Sequence, residues 1–251
     1  QGPKDIPTTS MHASAAALKA SKLMKIGKVL KDLLTAVVDE DYCDACGFCV
    51  STCPYGAIEV VEGSSFARVM DSKCRGCGIC VATCPADAIQ LKNWRDSQIL
   101  AQIKGLFQGK FLSKYVENPQ PSVIAFCCDE CGYAAADSAG FLRMQYPVNI
   151  RILRVPCIGG VDVSHIMNAF KAGADAIMLV GCKIDGCHYK NGSIIAERRV
   201  MLTKKLLNQM GIEPERLEIF FVPCIEADKF VEATKLMLER VNELGTLKIL
   251  S

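Results

Sequence analysis

The residues in this chain that could do chemistry are thiols. There are 15 cysteines against three histidines in 251 residues, and their spacing is ordered. Cys43, Cys46, Cys49 and Cys53-Pro54 recur as Cys74, Cys77, Cys80 and Cys84-Pro85, and the flanks repeat too, CPYGAIEV against CPADAIQL. A cubane iron–sulfur cluster needs four thiolates converging on a small volume. Two-residue gaps let one tight loop supply three of them, and in this spacing the fourth cysteine of each run ligates the other cluster. The pattern therefore assigns Cys43, Cys46, Cys49 and Cys84 to one 4Fe–4S cluster and Cys74, Cys77, Cys80 and Cys53 to a second. The proline after each fourth cysteine ends the turn and removes an amide donor. Gly47, Gly76 and Gly78 let backbone lie close to a cluster. Structural zinc, the competing reading, usually pairs CxxC knuckles instead.

A second group of thiols is dispersed in sequence but not in its setting. Cys127, Cys128 and Cys131 follow the apolar run SVIAF, and Cys157 follows NIRILRVP. Cys182 follows DAIMLVG, with Cys187 five residues on, and Cys224 follows LEIFFVP. Each stands at the carboxyl end of an expected strand. In an open parallel sheet those ends share one edge, where ligands bind. Soft ligands converging there suit an iron–sulfur cluster or zinc. Cys128 and Cys131 form a CxxC clamp, and Cys157, Cys182 and Cys187 complete five candidates for about four positions. Cys127 alternates to the opposite face and reads as a core residue. Cys224 is balanced between core residue and spare thiol. His188 could be a ligand, a proton donor or a plain surface or packing residue. Arg198 or Arg199, on the helix that follows, either softens a cluster's negative charge or lies on a solvated face. The competing sheet-edge ligand, a phosphate-bearing cofactor, needs a Gly/Ser/Thr loop after the first strand, and CCDECGY is not one.

The elements that must position these thiols read as four blocks. Residues 1–41 form an N-terminal helical segment with apolar positions Leu18, Leu23, Ile26, Leu30, Leu34 and Val37 at helical spacing, so one face is expected to be buried. Residues 42–92 hold the repeat. Residues 93–121 are a helical connector, capped by Asp96 and ended by Asn118-Pro119-Gln120-Pro121. Residues 122–251 alternate strand and helix, with Gly173, Gly211 and Gly245 closing helices. The expected fold is an α+β two-cluster ferredoxin-like domain followed by an α/β domain with a four-stranded parallel, doubly wound, flavodoxin-like sheet. Half the chain is apolar and 22% is charged, which permits a real core, and the net charge of +2 gives no case for nucleic acid. No run reaches the roughly 18 apolar residues of a spanning helix, and no export signal places the chain where disulfides persist. Direct membrane insertion is not expected and a cytoplasmic location is.

With the motifs placed, family resemblances emerge. The repeat resembles bacterial-type two-cluster ferredoxins. Residues 122–251 resemble the delta subunit of the methyl-viologen-reducing hydrogenase of methanogens, through CCDECGYAAADSAG, RMQYPVNIRILRVPC, GADAIMLVGC, DGCHYKNG, AERR and GIEPERL. Residues 1–118 resemble the C-terminal end of the A-type subunit of heterodisulfide reductase, through QGPKDIP, ASAAALKA, the cluster repeat and DSQILAQI. The resemblance implies a 2Fe–2S cluster held by four of Cys128, Cys131, Cys157, Cys182 and Cys187. The chain departs from that family at Ile158-Gly159-Gly160, Lys183 and Asp185-Gly186, all beside the candidate thiols, while keeping all five.

What the resemblance implies is an iron–sulfur electron-transfer subunit of a heterodisulfide reductase-like, flavin-based oxidoreductase complex of anaerobic metabolism such as methanogenesis. It would relay electrons between FAD on a partner flavoprotein of the heterodisulfide reductase A type and a hydrogenase, formate dehydrogenase or other redox partner. No substrate site of its own is evident. Residues 1–20 are expected to complete the partner's FAD domain or to act as a plain docking helix. Alternative hosts are class II benzoyl-CoA reductases and quinone-interacting complexes. A rival of another class makes the last domain a thiol or persulfide enzyme, with Cys127 or Cys224 as nucleophile.

Overall fold

A computed structural model describes residues 5–26, 34–108 and 121–247. The expectations placed on residues 1–4, on Leu30 and on Asn118-Pro119-Gln120 lie outside them, as do those on the side chains of Leu23 and Ile26. The chain divides into two compact units, Gln1–Leu33 and Leu34–Ser251.

Among its described residues the first unit holds one helix, α1 (Ile6–Ile26), rich in alanine. Of the positions expected to be buried, Leu18 is the one described on α1, and it is 70% exposed. Among the described residues of this unit no second element packs on α1, so Leu18 has nothing there to bury against. Leu34 and Val37 do not continue α1; Val37 lies in the first strand of the second unit.

The second unit opens with the cysteine repeat. Strands β1 (Ala36–Val38) and β4 (Ile89–Leu91) pair antiparallel, as do β2 (Ile58–Val60) and β3 (Ala67–Val69). The short helix α2 (Phe48–Thr52) and a single helical turn at Val81–Thr83 occupy equivalent places in the two halves of the repeat. Few apolar side chains are available to so small a layer. Cys49 and Cys80 join Ile58, Ile89 and Leu91 in its buried cluster, so the thiols are part of the core.

Helix α3 (Asp96–Gln108) follows. Asp96 is its first residue rather than its cap. Its carboxylate accepts from Gln90 Nε2 at 2.6 Å and meets His165 Nε2 at 2.9 Å, while Gln98 Oε1 accepts from the Arg95 amide at 2.8 Å. The buried imidazole claims the side chain that the sequence offered to the helix end. His165 Nδ1 accepts the Asp162 amide, so the ring proton sits on Nε2 and donates to Asp96.

The last region is a four-stranded parallel sheet in the order β6-β5-β7-β8. Its strands are β5 (Val123–Cys128), β6 (Ile150–Val155), β7 (Ala176–Gly181) and β8 (Leu217–Phe221). All of β5 and β7 is buried, as a continuous apolar run in a covered parallel sheet requires. On one face Ile124, Phe126 and Leu179 pack with α3, α5 (Val163–Ala172) and α6 (Gly192–Gln209). On the other, Val123, Ala125 and Val180 pack with α4 (Ala134–Phe141) and α7 (Ala227–Leu244). Each fully buried side chain of this kind contributes about 1.5–3 kcal/mol. Helix α5 carries an Asp162 capping box and ends on Gly173 at φ 110°. At the amino edge, buried Arg216 donates to the carbonyls of Asp175, Leu244 and Gly245, tying the end of α7 to β7. The carboxyl edge is thereby left to the thiols.

Candidate metal centres

In the repeat, Cys43, Cys46, Cys49 and Cys84 line one small cavity together with Gly47, Ala67 and Ile89. The cysteine from the second run thus joins three from the first. The reciprocal set is also assembled: Cys53 and Cys74 lie close enough to Cys77 and Cys80 to act on both electrostatically. Backbone amides point at the sulfurs, from Ala67 to Cys43 at 3.4 Å, Ala57 to Cys53 at 3.4 Å and Ala36 to Cys74 at 3.5 Å. Such donors favour a charged sulfur and tune a cluster's potential. Burial pushes the Cys77 thiol up to about 11 and Cys80 further up, with neighbouring thiols adding to the rise at both. Packed sulfurs of this kind are poor isolated thiolates. A bound cationic centre reverses that, because a coordinating thiol is deprotonated outright. Donor type, number and convergence all fit a cubane at each set.

At the carboxyl edge of the parallel sheet the dispersed thiols meet. Cys128 leaves β5 into a single wide helical turn, Asp129–Tyr133, that carries Cys131. Cys157 leaves β6, Cys182 leaves β7, and Cys187 follows a short turn. Cys128 Sγ and Cys182 Sγ are 3.7 Å apart. Cys131 and Cys182 have their sulfurs within 4.8 Å of each other, and the free thiol of Cys187 sits beside those of Cys182 and Cys157. The thiols therefore form one connected chain. Within it, Cys128 is pushed down and Cys182 up by their mutual contact, and Cys187 down and Cys157 up by theirs. Two adjacent thiol pairs are a donor set suited to a small iron–sulfur cluster or to zinc. Amides at Gly132 and Gly159 donate to Cys128 and Cys157 at 3.2 and 3.4 Å.

Helix α6 begins against this set. A Cβ on Gly192 would lie 2.3 Å from Cys157 Sγ and 3.3 Å from Cys187 Sγ, so the first helical position must be glycine for the two thiols to keep their places. Cys127 faces the other side of the sheet, fully buried among α4 and α7, and burial pushes its thiol far up. It is a core residue. Cys224 is half-buried at the thiol edge, beside Cys131.

His188, open in sequence between ligand, proton donor and surface or packing residue, is exposed at the thiol edge. Its Nδ1 lies 3.5 Å from Cys182 Sγ and 3.7 Å from Cys131 Sγ, a group compact enough to hold a metal ion. Adjacency to Cys187 in sequence was the available signal. The other part not readable from spacing is contact between the two cysteine regions. Cys77 and Cys157 share one buried apolar cluster with Ile79, flanked by Tyr189 and Ile195. Tyr55, two residues beyond Cys53, donates to the His188 carbonyl at 3.4 Å, and Lys190 donates to Pro54 O at 3.1 Å while lying over the Tyr55 ring. The loop Ile158-Gly159-Gly160 closes the contact: a Cβ on Gly160 would be 2.9 Å from the Cys77 carbonyl.

Comparison with known proteins agrees with this division. Residues 123–245 match the family described as methyl-viologen-reducing hydrogenase, delta subunit, and residues 36–91 match the 4Fe-4S dicluster domain. The chain is similar to the A-type subunit of the ferredoxin:CoB-CoM heterodisulfide reductase of Methanosarcina mazei. The two are 36% identical over 246 residues, which covers 98% of this chain and 30% of that protein. It is also similar to the D-type iron-sulfur subunit of the vhu F420-non-reducing hydrogenase of Methanopyrus kandleri, 54% identical over 125 residues, covering 50% of this chain and 95% of that protein. The corresponding protein of Methanocaldococcus jannaschii is 50% identical over 125 residues, covering 50% of this chain and 93% of that protein. The chain thus spans about a third of its reductase relatives and nearly all of the hydrogenase subunits.

Proposed function

Because the chain belongs to the family of the hydrogenase delta subunit, here joined to a two-cluster region like that of the heterodisulfide reductase A-type subunit, we propose that it is an electron-transfer component of a multisubunit redox complex. Bound iron–sulfur clusters would supply one-electron carriers. The chain supplies thiolates, amide donors and packing that fix their order. Cys43, Cys46, Cys49 and Cys84 hold one 4Fe–4S cluster and Cys53, Cys74, Cys77 and Cys80 the other. A 2Fe–2S cluster takes four of Cys128, Cys131, Cys157, Cys182 and Cys187. The contacting pairs Cys128/Cys182 and Cys157/Cys187 favour two thiolates for each iron, with Cys131 as the remaining thiol. The strand order, with helices on both faces, supports a doubly wound, flavodoxin-like reading of the last domain; the divisions 42–92, 93–121 and 122–251 are kept as proposed, but the first ends at residue 33 rather than 41, because β1 pairs with β4 of the cysteine repeat.

The observation that carries the proposal is the shared cluster of Cys77, Ile79 and Cys157. It puts a ligand of the second cubane and a ligand of the third centre in one dry layer, which is what a relay needs and a separate zinc module does not. The proposed donor or acceptor beyond the first cubane is a partner's FAD, with hydrogenase or formate dehydrogenase at the far end. The exposed apolar positions of α1 support docking on that flavoprotein. Redox-titrated EPR of the anaerobic protein tests the relay. Three centres, with the second cubane and the third centre broadened by magnetic interaction, are expected. An isolated third signal, or none, contradicts it. Deleting residues 1–20 is expected to lower FAD occupancy of the partner; full occupancy removes that part of the reading.

A further inference from the structure

Arg199 lies on the second turn of α6, with its side chain in the seam between the two cysteine regions. Its guanidinium donates to Gly159 O at 2.7 Å and Val161 O at 2.8 Å, on the loop that follows Cys157. It also donates to Ala82 O at 3.1 Å, between Cys80 and Cys84. One side chain therefore ties the backbone of a cubane-binding loop to the backbone of the third site. Its neighbour Arg198 is exposed.

The partners are all neutral carbonyls. Among the described residues no carboxylate forms an ion pair with Arg199. The anionic groups that act on it are Asp162, already committed to capping α5, and the Cys157 sulfur. Taking a cation partly out of water without an ion-pair partner is costly. A dicluster seam supplies the missing charge, since clusters held by four thiolates carry net negative charge. The same region closes on Gly159 and Gly160, where side chains would collide with Gly192 and Cys77.

We propose that Arg199 is a positioning residue that clamps the second cubane loop to the third centre and, through its fixed positive charge, raises the reduction potentials of both. This rests on the relay reading above. It adds that the step between the two centres is set by one cation shared across the seam, and that Arg198 has no such part.

The test is an EPR-monitored potentiometric titration of anaerobically purified wild-type protein and of Arg199→Gln, Arg199→Lys and Arg198→Gln, with iron content measured on each. Removing the charge in Arg199→Gln is expected to disfavour reduction of both centres about tenfold, a fall of about 59 mV for a one-electron couple. Arg199→Lys keeps the charge but not the planar fork, and is expected to restore most of the shift. Arg198→Gln should leave both potentials in place. Arg199→Met, which keeps the apolar stem, carries the same comparison where Arg199→Gln loses iron. Unmoved potentials in the neutral variants, or equal shifts in the lysine and neutral variants, overturn the proposal by reducing Arg199 to a structural tie. A wild-type protein lacking the third signal overturns this proposal and the relay reading together.

Discussion

Substituting alanine for Gly192 should remove one centre and spare two. The new Cβ would lie 2.3 Å from Cys157 Sγ and 3.3 Å from Cys187 Sγ. Non-bonded heavy atoms rest at about 3.5–4.0 Å, so the Cys157 sulfur must retreat by more than about 1 Å. Metal ligation tolerates displacements of about 0.2 Å. The backbone argues the other way, because alanine in a helix is favoured over glycine by up to about 1 kcal/mol. Overpacking costs about 1–3 kcal/mol. The net is a loss of about 0–2 kcal/mol, which says nothing about ligation, so thermal stability is the wrong readout. Iron and sulfide content with low-temperature EPR on anaerobic protein is the right one. The expected result is a fall from about ten irons to about eight, with both cubane signals kept and the third lost. A variant that keeps about ten irons and an unaltered third signal would refute a site built on Cys157 and Cys187.

Serine at Cys128, Cys182, Cys157 or Cys187 should each abolish the third signal, whereas Cys127→Ser should keep it and lower stability to denaturant by about 1–3 kcal/mol through an unsatisfied buried hydroxyl. Cys53→Ser should damage the second cubane and Cys84→Ser the first; EPR showing each loss in its own half of the repeat would contradict the crossed ligation. His188→Ala should retain iron and lower the third centre's potential, since a donor beside Cys131 and Cys182 is removed; an unchanged titration would count against any role there. Burial works to raise the Asp96 pKa, but the hydrogen bonds from His165 and Gln90 outweigh it and hold the carboxyl below its usual value. Its contribution is therefore present above the unfolded value of about 3.9 and lost as pH falls through the lower folded value. Asp96→Asn should flatten that acid limb in denaturation measured against pH, and an unchanged limb would exclude it.

The strands and helices of the last region were readable because their signals are local: SVIAF and DAIMLV are buried on both faces, and Gly173 ends its helix in the left-handed region. The convergence of Cys84 with Cys43, Cys46 and Cys49 on one cavity was readable because a loop of fixed spacing carries most of the set. The parallel order then carried Cys128, Cys157 and Cys182 to one edge without further information. What local pattern could not carry is choice among tertiary partners. Asp96 had the right type and place for a cap, but a buried His165 distant in sequence took it. The α1 stripe promised burial, and Leu18, the described member of that stripe on the helix, is exposed instead. Arg199 and Arg198 are indistinguishable in sequence; only the turn of α6 against the Gly159–Val161 loop separates them.

Iron, sulfide and zinc analysis of anaerobically purified protein, with EPR of the reduced sample, tests the three-centre relay most directly. The predicted result is about ten irons per chain, no stoichiometric zinc, and a third, slowly relaxing signal beside those of two cubanes. About eight irons with one zinc would contradict it, leaving two cubanes beside a structural zinc site and no third carrier.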